Sequence, residues 1–264
     1  MMPYQQKHSG WIRVAAVTLG LMLLGSGLQA AREKTAQPTQ LEGDVITYVS
    51  QTGIMTARGG VKMTQGNAVL TGDAGEYNSK TKEAVVTNNV KVVKEGTTLT
   101  AAEVRSFDDM TKLVATGTAL LVHQDGTAAG PRMEYFPDRQ YAKITGGSRL
   151  TSKDAVITSA VAEAFFKEDR ATADGGVHIV SDSRKLDAVS DHVVYYGLNG
   201  KNGKAELTGN VRAVQDGNVL TGNHVILYLD DSAVDSDGRS TLIIKPVQAE
   251  PTNNKEKVKG KGNP

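Results

Sequence analysis

From residue 41 onward the chain alternates apolar and polar residues, and the alternation repeats. Stepping by 29 from Gly59 reaches Asn88, Gly117, Gly146 and Gly175, and a final step of 34 reaches Gly209. The extra five residues fall in the glycine-rich stretch 197–204, where a turn can absorb an insertion. A second column of small residues runs Gly43, Gly72, Ala101, Gly130, Ser159, Ala188 and Gly222. Apolar columns keep the same phase. Two residues before the first column stand Ala57, Val86, Ala115, Ile144, Ala173 and Leu207. Two after it stand Val61, Val90, Ala119, Ser148, Val177 and Val211, and four after it Met63, Val92, Leu121, Leu150, Ile179 and Ala213. Two before the second column stand Leu41, Leu70, Leu99, Ala128, Ile157, Leu186 and Leu220. Between these lie Thr87, Thr116, Thr145 and Thr208, and a mostly basic column of Lys62, Lys91, Arg149, His178 and Arg212, with Leu120 the exception.

Period-two alternation rich in Val, Ile and Thr predicts strands with one apolar and one polar face. No helical stripe runs through this part of the chain. Turn residues punctuate each repeat twice, as at Gln65-Gly-Asn67 and Asn78-Ser-Lys-Thr-Lys82, so each repeat reads as a hairpin of two strands of about 10–12 residues. The small residues fall inside the strands. Glycine there marks a bend or a close backbone approach. Gly59, Gly72, Gly117, Gly130, Gly146, Gly175, Gly209 and Gly222 are therefore the expected strand-bend positions. A bend recurring at one place in every strand creases the whole sheet and closes two halves over an apolar trough. The expected trough lining is Val61, Met63, Leu70, Val90, Val92, Leu99, Leu121 and Ile144, continuing with Leu150, Ile157, Val177, Ile179, Leu186, Leu207, Val211 and Leu220. The same columns would also suit the filled core of a sandwich or solenoid. A one-way coil would advance ~4.8 Å per repeat and a hairpin array ~9.6 Å.

The first thirty residues read differently. Lys7 and Arg13 precede and enter an apolar run, and Gly25–Ala30 offers small residues ending in Ala, the pattern of a secretory signal peptide. Its apolar run of about fifteen residues is short for a spanning helix, which needs roughly 20, although an uncleaved anchor is the competing reading. Residues 31–40 read as a linker, 41–249 as the repeat domain and 250–264, with four lysines and no apolar pattern, as a disordered basic tail. Charge is nearly balanced, with 30 Lys+Arg against 29 Asp+Glu, which argues against a nucleic-acid binder. Cysteine is absent, so no disulfide, thiolate metal site or Cys nucleophile is available. The histidines His123, His178, His192 and His224 form no HxH or HExxH pattern. Asp230–Gly238 lacks the twelfth-position Glu of a calcium loop and reads better as a polar turn. The Lys62/Lys91/Arg149/Arg212 column reads as a solvated outer face rather than a phosphate site. No cofactor, metal or enzymatic chemistry is expected.

The recurring units Gly60-Val-Lys-Met63, Leu70-Thr-Gly-Asp73, Leu207-Thr-Gly-Asn-Val211 and Leu220-Thr-Gly-Asn223 carry a resemblance. Set behind a signal peptide in a helix-free, cysteine-free chain, they resemble the OstA/LptA family over roughly Leu41 to Val247. These are periplasmic lipopolysaccharide-transport proteins, whose repeat domain also occurs in LptC and at the N-terminus of LptD. The resemblance implies an all-β fold, an antiparallel folded-over (V-shaped) β-jelly roll of about six and a half hairpin repeats. It implies lipid A acyl chains in the trough and edge-strand stacking onto LptC-like and LptD-like partners or onto further copies in a head-to-tail homo-oligomer. The function it implies is a periplasmic bridge carrying lipopolysaccharide from inner to outer membrane. An LptC-like, membrane-tethered partner of the same pathway is the alternative within the fold. A structural or adhesive solenoid with a filled core is the alternative outside it. The added five residues leave open one continuous roll or two fused units.

Overall fold

The computed structural model describes residues 38–246 apart from 125, 199–202, 230 and 232. The expected leader, nearly all of the linker and the basic tail lie outside the described residues. Sixteen strands form one sheet. They are β1 (Thr39–Glu42), β2 (Val45–Val49), β3 (Ile54–Gln65), β4 (Ala68–Asn78), β5 (Glu83–Lys94), β6 (Thr97–Phe107), β7 (Lys112–His123) and β8 (Gly126–Phe136). Then follow β9 (Tyr141–Thr151), β10 (Val156–Phe165), β11 (Arg170–Ser181), β12 (Leu186–Tyr196), β13 (Lys204–Gln215), β14 (Asn218–Tyr228), β15 (Ala233–Asp237) and β16 (Thr241–Ile243). The described residues hold no α-helix; only two three-residue 3₁₀ turns occur, Pro137–Arg139 and Phe166–Glu168.

Sequence neighbours pair antiparallel without a crossover from β3 to β14. This is the hairpin array; the one-way coil would need parallel pairing and is excluded. The two outermost strands are each split. β1 and β2 pair with the two halves of β3, and β15 and β16 pair with the two halves of β14.

Every full strand is creased near its middle, and the ladder shows how. Arg58 pairs with Ala74, but the next pair is Val61 with Gly72, three steps along β3 against two along β4. The same bulge recurs in each ladder out to β13 and β14, between Thr208 and Val211. A bulge of this kind bends its strand and is conserved in position here by the repeat itself. At each bulge two consecutive residues of the longer strand take left-handed backbone angles: Gly59-Gly60, Asn88-Asn89, Gly117-Thr118, Gly146-Gly147, Gly175-Gly176 and Gly209-Asn210. Gly and Asn enter that region most easily. Thr118 is the costly exception, a β-branched residue at φ 55.

The second small column works differently. Gly72, Gly130 and Gly222 show no left-handed φ. They are small because a neighbour occupies the space. A methyl on Gly72 would lie 2.4 Å from Val86 Cγ1, and one on Gly130 would lie 2.2 Å from Ile144 Cγ2. Bending is thus the task of the first column and close packing that of the second.

Folded along the crease, the sheet brings its two rims of turns together. A strand of 12 residues such as β5 would span roughly 40 Å if straight. Yet Lys94, at the end of β5 on one rim, has its Nζ 2.6 Å from Asp138 Oδ1 in a turn of the other rim. The core lies between the halves. It is one cluster running from Met63 to Leu229, drawn from every full strand.

Candidate functional site

The interior is the candidate site, because the repeat aims its apolar columns there. All sixteen residues named as trough lining are buried, from Leu70 and Leu121 at 0% exposure to Leu220 at 7%. Leu207 and Leu220, the leucines of the two Leu-Thr-Gly-Asn units, sit on the neighbouring strands β13 and β14 and face the same interior. Each pair of facing columns interlocks. Leu121 pairs with Leu99 on one side and Ala128 on the other, and Val92 pairs with Leu99 and Leu70. The row continues from Ala128 through Leu150 and Ile157 to Ile179, all buried. The space between the halves is filled by the protein's own side chains rather than left as an open trough. The outward columns point to water: Lys91, Arg149 and Arg212 are exposed, and Lys62 pairs with Glu42 at 3.2 Å. Such surface pairs contribute about 0–1 kcal/mol each.

The line where the rims meet is built from residues that the alternation alone did not reveal. The penultimate residues of the even strands from β4 to β12 are Tyr77, Ser106, Tyr135, Ala164 and Tyr195. The three tyrosines are buried, and their hydroxyls reach side chains of the opposite rim. Tyr77 and Tyr135 lie beside Thr39 and Thr97, and Tyr195 Oη lies 3.2 Å from Ser152 Oγ; Tyr77 Oη also donates to Asp109 Oδ1 at 3.2 Å on its own rim. Burial, the largest cause in each case, raises all three phenols above their usual value of 10.0, so they stay neutral at physiological pH. Thr97 Oγ1 also lies 2.7 Å from His123 Nδ1, whose ring packs at 4.8 Å, tilted by 45°, against Phe166 of the other rim. Burial lowers the His123 pKa below 6.5. Arg184 closes a further point by donating to the Leu229 carbonyl.

Outside this line runs a second aromatic column, the last residues of β6, β8, β10 and β12: Phe107, Phe136, Phe165 and Tyr196. A cation lies over each ring, with Arg139 at 4.0 Å from Phe136 and Arg170 at 4.1 Å from Phe165. Lys112 and Lys204 do the same for Phe107 and Tyr196 at 6.0 and 5.6 Å. The exact 29-residue spacing of Phe107, Phe136 and Phe165 was the available signal for this rim.

The sheet ends differ from its middle. Val45, Ile46, Tyr48 and Val49 of β2 are 43–63% exposed, and Leu242, Ile243 and Ile244 at the other end are 54–68% exposed. Among the described residues each outer strand has a ladder partner on one side only. An unpaired apolar edge is a template for strand addition and is normally concealed.

Among the described residues no group of three His, Asp or Glu side chains could hold a metal, and no helix is long and apolar enough to cross a membrane.

Residues 70–169 match the family described as the LptA/(LptD N-terminal domain) LPS transport protein. These residues form an OstA/LptA-like domain. The matched span covers the strands from β4 to β10 and so contains the repeat's regular centre. The bulged ladder continues beyond it on both sides, from β3 out to β14. Among solved structures, the chain is similar to LptH, described as the LptA-homologous periplasmic component of the lipopolysaccharide transport device of Pseudomonas aeruginosa. The match has 13% identity and a TM-score of 0.15, and it covers 80% of this chain and 96% of LptH. At that score the likeness decides nothing about function. No curated protein matches the chain.

Proposed function

We propose that this chain is a lipopolysaccharide-transport protein that holds acyl chains between the halves of its folded sheet and docks edge to edge with sheets of its own kind. The observation that carries the reading is the pairing of an apolar interior with two open ends. The interior runs unbroken from β3 to β14, and both ends present strands whose outer edge no described strand covers, with exposed apolar side chains. The family match supplies the ligand class. Binding of acyl chains would part the two halves, and the lining supports this. Apart from the tyrosines and Phe166 at the rim line and a few buried serines, it is made of Ala, Val, Leu, Ile and Met. Burying methylenes contributes about 0.8 kcal/mol each, so a long acyl chain can offset the lost contacts between the halves.

Edge docking would extend one interior into the next through backbone ladders, with side chains setting which partner fits. LptC-like and LptD-like domains and further copies of this chain are the partners proposed. Catalysis has no place in this reading. Export to the periplasm follows from the leader read in the sequence. N-terminal sequencing of the mature protein separates a freed chain, beginning near Ala31, from a membrane-tethered one.

The test of the ligand is to purify the protein without detergent and examine its lipid extract by mass spectrometry. Co-purifying lipopolysaccharide supports the proposal. An extract free of lipid would favour the competing reading, a permanently filled structural core.

A further inference from the structure

We infer that the cleft over Tyr141, on the outer face of the sheet, is a saccharide-binding site that takes a pyranose ring against its aromatic side chains. The cleft lies outside the interior, and the inference does not depend on what the interior holds.

The outer row formed by the last residues of the even strands and the first residues of the odd ones alternates aromatic and cation. Phe107 pairs with Lys112, Phe165 with Arg170, and Tyr196 with both Arg170 and Lys204. Lys112, Tyr141 and Arg170 stand 29 apart, and Lys204 follows after the step of 34. Tyr141 therefore occupies a position at which the neighbouring repeats carry a cation. Phe136 and Phe165 both pair with it, and their ring centroids lie 5.7 and 5.0 Å from its own. Among the described residues, three rings stand side by side along the row only here. Over them opens a cleft of about 510 Å³, within the size range of small-molecule sites. A Lys or Arg at 141 would continue the alternation and put its chain into this space.

The polar groups around the rings select the class of ligand. Glu134 and Glu168 supply carboxylates, and Arg139 and Lys143 supply cations. These charges balance, so the cleft favours neither an anion nor a cation. A purely apolar ligand would take water from the charged groups and return no hydrogen bonds. A neutral, polyhydroxylated ring suits both parts of the cleft. Its C–H face meets the negative face of an aromatic ring. Its hydroxyls donate to the carboxylates and accept from the cations. The polar groups have capacity left for this. Arg139 lies over Phe136 at 4.0 Å and over Tyr141 at 5.3 Å, and it forms no ion pair among the described residues, so its N–H edge is open to an acceptor. Glu168 engages Arg170 through Oε2. Glu134 meets Lys112 at 2.9 Å and Arg132 at 3.1 Å, which leaves part of a carboxylate's roughly four acceptor positions unused.

Tyr141→Lys tests the site, because it gives the position the residue type of its own column and so suits the sheet. The readout is saturation transfer from the protein to a dissolved sugar, measured on the sugar's proton resonances. The probes are cellobiose, lactose and N,N′-diacetylchitobiose, with octyl β-glucoside as a sugar that carries an apolar tail. Transfer to the ring C–H protons of at least one disaccharide is expected. Tyr141→Lys should weaken that binding by about tenfold, the upper range for an aromatic contact. Glu168→Gln, at a side chain 58% exposed and so without consequence for folding, should weaken it as well. Leu120→Lys adds the same charge on the outer face beyond the crease of β7 and should bind as the parent does. Circular dichroism shows that each variant is folded. No transfer to any of the disaccharides overturns the site, and so does transfer that neither Tyr141→Lys nor Glu168→Gln diminishes. Transfer to the alkyl protons of octyl β-glucoside with none to the disaccharides overturns the saccharide assignment and makes the cleft an apolar contact.

Discussion

Gly130→Ala is the sharpest test of the division of labour between the two glycine columns. Gly130 has no left-handed φ, so a backbone argument alone predicts a mild effect. The packing argues otherwise. The added methyl would lie 2.2 Å from Ile144 Cγ2 and 2.6 Å from the Gly147 carbonyl oxygen, where 3.4–4 Å is ordinary contact. Ile144 is fully buried, and Gly147 belongs to the crease of β9. Neither can retreat freely. Overpacking costs about 1–3 kcal/mol, and a clash that includes backbone belongs at the upper end, about 3 kcal/mol. For a domain of this size each kcal/mol lowers Tm by about 2–4 °C, giving a drop of about 6–12 °C. The comparison is Gly176→Ala, at φ 66 with nothing within 4 Å of the added methyl. It incurs only the left-handed penalty, about 1–2 kcal/mol. Urea unfolding followed by far-ultraviolet circular dichroism gives both values, with the slope unchanged if only native stability is altered. Combining Gly130→Ala with Ile144→Ala should cost less than the sum of the single changes, because one removes the other's obstacle. A Gly130→Ala variant no less stable than Gly176→Ala would refute the close-packing assignment.

Other outcomes follow from the same geometry. Leu121→Ala should cost about 2–5 kcal/mol, since Leu121 is fully buried, while Leu120→Ala, one residue earlier on the outer face, should stay within about 0.5 kcal/mol. Tyr195→Phe removes the hydroxyl contact to Ser152 and should cost about 1 kcal/mol at neutral pH by the same urea assay. Because burial raises the Tyr77, Tyr135 and Tyr195 phenols, their contribution is complete below pH 10.0 and lost as pH rises through the raised folded values; a triple Tyr→Phe variant should show a flatter alkaline stability profile than the parent. His123 has the opposite sign. Its folded pKa is lowered, so its contribution is full above 6.5 and is lost as pH falls through the folded value; His123→Gln should flatten the profile between pH 7 and pH 5.

The alternation placed the interior well, because period two fixes which side chains share a face and the 29-residue step fixes which strands lie side by side. Ala57, Val86 and Ala115 could be aligned without coordinates, and their burial follows from that alignment alone. The crease was legible as a column, but its partner residues were not. Gly60, Asn89, Gly147, Gly176 and Asn210 are all Gly or Asn, but Thr118 breaks the column, and what unites all six is backbone angle. The different role of Gly130 depends on the distance to Ile144, which no local pattern contains. An open trough and a filled interior use the same apolar columns, and only side-chain volumes in three dimensions separate them. The rim line was hidden for another reason. Tyr135 and Thr97 lie 38 positions apart in sequence and meet only after the sheet folds, a separation that is not a multiple of the 29-residue step.

Photo-crosslinking amino acids placed one at a time in cells test the proposed interior most directly. Probes at Met63, Val92, Leu121 and Ile179 face inward; probes at Lys62 and Lys91 sit on two of the same strands facing out, and one at Arg212 faces out from β13. Capture of lipopolysaccharide from the inward positions and not from the outward ones is the predicted result. Capture from the outward positions alone would contradict it.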